Sequence, residues 1–203
     1  MEKILTVAKV YKEIYKEKGS SFIAHLFPLN DIEDYKEILN NLKKEYYDAT
    51  HHCYALKFGN EFKYSDDGEP NGTAGIRILN AIEHYNLDNV FLVVVRYFGG
   101  VKLGVGGLGK AYYEASEMVI QTAEIIEKYA YKTFQVEFSF DDTSKIYHKI
   151  NQLNGNILNT NYTEDKIIID FEILYSYADK VNYIFEDMIY KIKINNNNTI
   201  IYK

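Results

Sequence analysis

The sequence predicts an α+β fold in two domains, residues 1–128 and 129–203. Segments with the two-residue period of strands and segments with the 3.6-residue period of helices occur in both parts. The composition changes near Tyr129, because glycine becomes rare and asparagine frequent beyond it. With 47% hydrophobic residues, a chain of 203 residues is long enough to bury a real core. We therefore expect a folded protein with two structural units.

The first domain contains four predicted strands and three predicted helices. The almost uninterrupted apolar run from Val90 to Phe98 is typical of a strand that is central or covered on both faces. After Asn30 and Asp31, either of which can cap a helix, apolar residues follow at helical spacing. We expect strands at 4–15, 20–29, 51–58 and 90–98, helices at 31–47, 74–86 and 108–128, and a loop at 59–75.

The second domain shows the order β-α-β-β-α-β, which is typical of a ferredoxin-like unit. A strand is followed by a helix with an acidic cap, a hairpin that turns near Glu164 and Asp165, a second helix and a final strand. The predicted ranges are 131–140, 141–154, 155–174, 177–192 and 199–203.

Charge and cysteine content limit the classes of function. The formal net charge is −6, so there is no global basic field that would attract nucleic acid, and any such contact must be local. The one cysteine, Cys53, excludes an internal disulfide framework and suits a reducing compartment. Charges interrupt the first 18 residues, which excludes a signal peptide or membrane span there. We expect a cytoplasmic protein without a membrane partner.

Glycine and arginine are concentrated in one part of the chain. Nine of the 12 glycines and both arginines, Arg77 and Arg96, lie between positions 68 and 109. Arginine offers a planar fork for phosphate or carboxylate groups that the abundant lysine lacks. The sequence therefore predicts the functional centre here.

Within this region Gly104, Gly106 and Gly109 satisfy the dinucleotide fingerprint G-x-G-x-x-G. The context does not fit, because the preceding strand ends near Phe98, six residues before Gly104, and no acid follows at the required distance. A phosphate loop would need Ser or Thr where Ala111 stands. We predict no cofactor. A glycine turn before a helix can still attract anions, or simply permit tight turns.

Three stretches carry long motifs in a fixed order: ATHHCYAL at 49–56, YSDDGEPNGTAG at 64–75 and VVVRYFGGVKLGVGGLGKAY at 93–112. Together they resemble the IMPACT family, whose bacterial members are the YigZ-like proteins. The resemblance extends over essentially the whole chain. It departs from the family pattern at Asn71, Ile76 and Gly109, where Ser, a basic residue and an aliphatic residue are usual.

The resemblance implies an N-terminal α/β domain similar to domain IV of elongation factor G and a ferredoxin-like C-terminal domain similar to its domain V. It implies roles around translation, since eukaryotic relatives regulate the amino-acid-starvation response by competing for a protein that activates a kinase. Bacterial relatives have no settled activity, and nucleic-acid binding is suggested for them by fold.

The acidic residues Asp66, Asp67 and Glu69 allow several interpretations. They can bind a metal or perform acid/base chemistry, or they can form a solvated turn. They can also pair with Arg77, Arg96 or Lys102 and so hold together the two glycine-containing loops, at 68–75 and 99–107. Thr73 is a candidate cap for the helix that follows.

Strand alternation predicts on which face of the sheet several remaining candidates lie. His51 and Cys53 should share one face and His52 the other, which does not make a zinc site. For Cys53 burial is favoured over catalysis, whereas His51 is kept as a residue that lines a pocket. Arg96 either pairs with Asp66 or Asp67 or contacts a ligand directly. Tyr97 and Phe98 should face opposite ways, and an exposed aromatic ring beside Arg96 would make a stacking platform for RNA or DNA.

We predict a non-enzymatic regulator associated with translation, or a nucleic-acid-binding protein, with an anion-binding face. The expected partners are RNA, a ribosome-associated factor or an acidic protein segment. One alternative is a metal- or phosphate-dependent hydrolase or transferase that uses Asp66, Asp67 and Glu69, which we call the acidic loop. The other is a protein-interaction module without affinity for nucleic acid. No metal site is predicted. The candidate ligand-binding residues are His51, Asp66, Asp67, Glu69, Thr73, Arg96, Tyr97, Gly99, Gly100, Lys102, Gly104, Gly106, Gly107 and Lys110.

Overall fold

The computed structural model describes residues 2–203, apart from the side chains of 196–199. The chain forms two compact units. The first is Leu5–Glu127, and the second joins Lys128–Lys203 to the N-terminal segment that ends at Ile4. The described residues form two five-stranded sheets and five α-helices, as the predicted α+β class requires. The grouping of the first few residues with the second unit has no signal in the sequence pattern.

The first unit is built on an antiparallel sheet in the order β2-β3-β6-β4-β5. Its strands form from runs of alternating or continuous apolar residues, and its helices form from the amphipathic segments between them. The chain begins with β1 (Lys3–Val7), which belongs to the other sheet. The elements of the first unit are then β2 (Tyr11–Glu17), β3 (Ser20–Pro28), α1 (Asp34–Glu45), β4 (His51–Phe58), β5 (Glu61–Ser65), α2 (Gly75–His84), β6 (Val90–Tyr97) and α3 (Gly104–Thr122).

The central strand β6 is covered on both faces, as its apolar run predicts. Leu92 and Val94 belong to a core with residues of α2 and α3, whereas Val93 and Val95 pack with Leu42 of α1 on the opposite face. Neighbouring strands β3 and β4 pair with β6 on its two edges. Side chains at the end of β6 are therefore presented by a rigid, buried strand.

Three predicted elements of the first unit differ from the structure. The strand predicted at 4–15 is divided into β1 and β2, and β5 lies within the predicted loop 59–75. Helix α3 begins at Gly104 instead of position 108, so it includes the glycines that were expected to precede it. It also ends earlier than predicted, because the β-branched pair Ile125 and Ile126 begins the next strand.

The second unit has the succession β-α-β-β-α-β. Its elements are β7 (Ile125–Ser139), α4 (Thr143–Gln152), β8 (Asn156–Tyr162), β9 (Lys166–Leu174), α5 (Lys180–Ile184) and β10 (Lys193–Tyr202), with 3₁₀ turns at 140–142, 175–177 and 186–188. The antiparallel strand order is β10-β7-β9-β8, and β1 also pairs with β7. Buried side chains of β7, β9, α4 and α5 form one core.

The helix predicted at 177–192 is wrong in its extent, because only the five residues of α5 are α-helical and short 3₁₀ turns flank them. The final strand begins at Lys193 instead of position 199, with a register shift between Asn197 and Ile200. In the described part of the chain, no helix is both long and apolar enough to cross a membrane.

Candidate functional site

Strands β4 and β6 bring the predicted His and Arg candidates together. His51 lies directly opposite Arg96 in the antiparallel register. Cys53 lies opposite Val94 and belongs to the core beneath α2 and α3, which confirms that His51 and Cys53 share one face. The site can therefore be built outward from the end of β6.

Asp66 holds the start of α2. Its Oδ1 accepts hydrogen bonds from the backbone N–H groups of Ala74 and Gly75 at 2.9 and 2.8 Å, and its Oδ2 accepts one from Gly72 at 2.9 Å. These are donors that a helix start leaves without an intrahelical partner. The prediction that Thr73 caps this helix is wrong, because the Thr73 hydroxyl donates to the Pro70 carbonyl at 2.6 Å.

Asp67 holds the acidic loop against β4. Its Oδ2 accepts a hydrogen bond from the His52 backbone N–H at 2.6 Å, and Lys43 lies 3.5 Å from its Oδ1. Its carbonyl oxygen lies 2.8 Å from His51 Nδ1. Because a carbonyl can only accept, His51 donates from Nδ1.

Glu69 is the ion-pair partner of Arg96. Its Oε1 accepts hydrogen bonds from Arg96 Nη1 at 2.5 Å and from the Tyr112 hydroxyl at 2.8 Å, while His51 Nε2 lies 3.8 Å from Oε2. Both members of the pair are buried. The prediction of Asp66 or Asp67 as the partner is wrong, because those carboxylates are used by α2 and β4.

Arg96 is only 6% exposed. Its guanidinium carbon lies 5.4 Å from the ring centre of Phe22 and 5.6 Å from that of Phe98, a cation–π arrangement on two sides. Its Nε is buried and has no hydrogen-bond partner among the described residues. The guanidinium is thus fixed in position, but not all of its N–H groups are hydrogen-bonded.

Burial makes Cys53 and Tyr112 poor acid/base groups. Burial raises the pKa of the Cys53 thiol, whose Sγ donates to the Asp66 carbonyl at 2.9 Å and lies 3.2 Å from the Tyr112 oxygen. Burial also raises the pKa of Tyr112. Since the thiolate is the nucleophilic form, the neutral thiol is a packing residue, as predicted.

An open cavity of about 370 Å³ is lined by the ion pair of Arg96 and Glu69, and we call it the motif cleft. Its wall includes Phe98, which is 47% exposed, and Val105, which is 68% exposed. Lys102 stands at its side and forms no ion pair with any residue in the described part of the chain. The cleft is lined by Thr50, His51, Glu69, Pro70, Arg96, Phe98, Lys102, Leu103, Gly104, Val105 and Leu108.

The first turn of α3 forms one side of the motif cleft. It carries no acidic residue and no side-chain cap, and Gly104 to Gly107 are exposed. The first backbone N–H groups of an α-helix have no intrahelical acceptor, so this turn presents free donors to the cleft. A Cβ on Gly104 would meet no atom within 4 Å, which leaves that side of the cleft open.

Gly99 and Gly100 have different environments. A Cβ on Gly99 would stand 1.9 Å from the Gly19 carbonyl carbon, and its N–H donates to Ser20 Oγ at 3.1 Å. Gly99 therefore serves the close approach of two turns. Gly100 has φ +85° and open space around it.

Five of the predicted site residues line the motif cleft, namely His51, Glu69, Arg96, Lys102 and Gly104. The other nine do not line it: Asp66, Asp67, Thr73, Tyr97, Gly99, Gly100, Gly106, Gly107 and Lys110. Tyr97 faces the α1 side of the sheet, where its hydroxyl donates to Asp48 Oδ1 at 2.7 Å. Lys110 lines a second depression of about 450 Å³, which we call the α2–α3 groove. Its lining residues are Thr73, Arg77, Asn80, Val105, Gly106, Gly109, Lys110 and Tyr113.

The sequence reasoning missed Tyr112 and Leu108 as site residues. They are spaced four apart on α3, which places them on one helix stripe facing the sheet, and both are buried. That spacing was readable from the sequence, but the hydrogen bond from Tyr112 to Glu69 depends on a loop 43 residues away.

The model of the Impact N-terminal domain matches residues 18–120, about half of the chain. This chain belongs to the IMPACT family. The matched range contains every residue that lines the motif cleft. The family's N-terminal domain is therefore the part of the chain that carries the candidate site.

Individual relatives extend the similarity beyond that range. IMPACT family member YvyE of Bacillus subtilis is 32% identical over 163 residues, 79% of this chain and 73% of that protein. IMPACT family member YigZ of Escherichia coli is 31% identical over 167 residues, 80% of this chain and 82% of that protein. A crystal structure described as that of a hypothetical protein superposes with a TM-score of 0.71 and 26% identity, covering 96% of this chain and 97% of the other.

Proposed function

We propose that this IMPACT family protein is a non-enzymatic regulator associated with translation, which binds single-stranded RNA at the motif cleft. The observation that carries the proposal is the exposed Phe98 ring beside Lys102 and the free N-terminal turn of α3. An aromatic surface with cations and backbone donors at its edge suits a stacked base and its phosphate. The net charge of −6 favours a confined RNA site over general coating of nucleic acid.

The translation role follows from the resemblance of the site motifs to a family with such roles. The similarity to domains IV and V of elongation factor G belongs to the same proposal, as does a location in the cytoplasm. The cleft is compatible with this role because its buried floor is electrically neutral: Glu69 balances Arg96. The positive charge available to RNA is then that of Lys102 and the helix dipole of α3.

The contacts of the acidic loop argue for binding over catalysis. Asp66 is occupied by the α2 backbone, Asp67 by β4 and Glu69 by Arg96 and Tyr112. A general base must be free to accept a proton from a substrate within hydrogen-bond reach. The hydrolase alternative therefore has less support than the RNA-binding one.

Fluorescence anisotropy with a labelled single-stranded oligouridine tests the proposal. We expect affinity to fall as salt rises, because phosphate contacts release counterions. Lys102→Glu should weaken binding by on the order of tenfold and reduce the salt slope by about 0.7. The matched control is Lys44→Glu, which reverses an exposed lysine on α1, on the other face of the sheet. Arg96 is not reversed, because a glutamate there would face Glu69 in a buried site.

A second variant separates RNA from other polyanions. Phe98→Ala removes the stacking surface, which should lower affinity for oligouridine but leave the affinity for inorganic polyphosphate unchanged. Absence of oligouridine binding by the wild-type protein would overturn the proposal, and so would equal effects of Lys102→Glu and Lys44→Glu. Preferential binding of an acidic peptide at the cleft would instead select a protein partner.

A further inference from the structure

The α2–α3 groove is a second basic surface next to the motif cleft. Arg77 of α2 and Lys110 of α3 line it together with the amide of Asn80. Among its lining residues there is no Asp or Glu, although the chain as a whole has 29 acidic and 23 basic residues. Among the described residues, neither Arg77 nor Lys110 has an ion pair. Two cations thus face one open groove without an internal counter-charge.

Gly109 gives the Arg77 side chain its place in the groove. A Cβ on Gly109 would stand 3.3 Å from Arg77 Nε and 3.7 and 3.8 Å from its Cγ and Cδ. The aliphatic part of Arg77 therefore lies flat on the surface of α3 where a larger residue would hold it away. This directs the planar guanidinium towards the same groove as the neighbouring Lys110, although the two residues belong to different helices.

The groove and the motif cleft adjoin at the first turn of α3. Val105 lines both, and of its two neighbours in the chain Gly104 lines the cleft and Gly106 the groove. A strand that crosses this turn would pass directly from the cleft into the groove. The cleft offers Phe98 for a base, whereas the groove offers a guanidinium fork and an ammonium group, which are the donors that phosphate oxygens accept.

We infer that the α2–α3 groove binds a backbone phosphodiester of the RNA strand whose neighbouring base stacks in the motif cleft. Arg77 contacts two phosphate oxygens through its fork, Lys110 neutralises the charge, and Asn80 adds an amide donor. This inference rests on the proposed RNA binding and gives it a path: the strand crosses the N-terminal turn of α3 from Phe98 towards Arg77. The groove reads charge and not base identity.

The test compares charge-neutral variants with the same labelled oligouridine. The double variant Arg77→Gln/Lys110→Gln should weaken binding by on the order of tenfold at low salt and reduce the salt slope by about 1.4, the contribution of two phosphate contacts. The matched control, Lys36→Gln/Lys44→Gln, removes the same charge from exposed positions of α1 and should change the affinity less than twofold.

A second variant keeps every charge and alters only the surface. Gly109→Ala adds the methyl group that crowds Arg77, and alanine is favourable in a helix interior, so the fold should be retained. We expect weaker oligouridine binding without a lower melting temperature. If net charge alone governed binding, Gly109→Ala would bind oligouridine with the wild-type affinity.

The outcomes distinguish the inference from the proposed function. If Lys102→Glu weakens RNA binding while the Arg77/Lys110 double variant matches its α1 control, the groove assignment is wrong and RNA binding at the cleft stands. If the wild-type protein binds no oligouridine, both fail. If the double variant weakens binding of an acidic peptide but not of RNA, the groove recognises a protein and the inference is overturned.

Discussion

At the level of single residues, the motif cleft depends on the buried ion pair between Arg96 and Glu69. Breaking a buried pair leaves one charge without compensation, which costs about 3 kcal/mol or more. We expect Arg96→Met to lower the free energy of unfolding by about 3 kcal/mol, because Glu69 would lose its guanidinium partner and keep the neutral hydroxyl of Tyr112, with His51 Nε2 3.8 Å away. Urea denaturation at neutral pH measures this.

The double variant Arg96→Met/Glu69→Leu provides the control. Replacing both charges with apolar side chains removes the uncompensated charge, so the double variant should be more stable than Arg96→Met alone. Strictly additive losses for Arg96→Met, Glu69→Leu and their combination would mean that the two side chains do not interact as described.

Two buried histidines predict a loss of stability in acid. His25 is 6% exposed, lies beside the rings of Phe27 and Tyr46, and has its pKa lowered to about 4 by burial and, secondarily, by the charge of Lys12. Burial also lowers the pKa of His52. The unfolded chain binds protons near pH 6.5 but the folded chain does not, so this stabilisation is complete above about pH 6.5 and is lost on acidification.

For His25 the expected loss at about pH 5 is on the order of 2 kcal/mol relative to neutral pH. Urea unfolding at neutral and acidic pH measures it in the wild-type protein and in His25→Phe. The variant should show a shallower pH dependence because it cannot take up that proton. An identical pH dependence in both proteins would contradict the neutral, buried state of His25.

The acidic loop shows what could be predicted for residues and what could not. A turn at Asp66, Asp67 and Glu69 and a pair with Arg77, Arg96 or Lys102 were among the interpretations that the residue types allowed. Which one pairs did not follow, because the choice depends on where α2 and β4 need acceptors. Asp66 reaches the start of α2 only because the loop folds back over six to nine residues. No local sequence pattern predicts that fold.

At the level of elements, the glycines of the motif serve two different purposes. Gly99 stands where two turns touch, whereas Gly106 lies in the first turn of α3 with free space around it. Gly99→Ala should destabilise the protein strongly, because its Cβ would overlap the Gly19 backbone. Gly106→Ala should raise stability by up to about 1 kcal/mol, since alanine is favoured over glycine in a helix.

Thermal denaturation of the two variants under identical conditions tests this contrast. The prediction is a lower melting temperature for Gly99→Ala and an equal or higher one for Gly106→Ala. Equal destabilisation by both would show that the first turn of α3 is not helical, and the free backbone donors assigned to the motif cleft would lose their basis.

The extent of α3 illustrates the limit of local sequence signals. Five glycines between 99 and 107 indicate a turn, so the sequence predicts a helix start near Leu108. In the structure the helix begins at Gly104, so its first turn contains three glycines despite their low helix propensity. By contrast β4 has the predicted bounds and β6 nearly so, and the apolar run of β6 is continuous up to Val95.

At the scale of the whole molecule, the order of elements was largely predictable and their pairing only in part. The β-α-β-β-α-β succession of the second unit could be read from periodicity. The pairing of β1 with β7 could not, because it joins segments that are more than a hundred residues apart and have no shared pattern.

The central claim is that the motif cleft in the first unit is an RNA-binding surface. Backbone amide chemical shifts recorded by NMR during titration with single-stranded oligouridine test it most directly. The account predicts saturable shifts at Phe98, Lys102 and the amides of Val105 and Gly106, continuing to Lys110, and none along α1. Shifts confined to the second unit, or no shifts at all with RNA in excess, would contradict it.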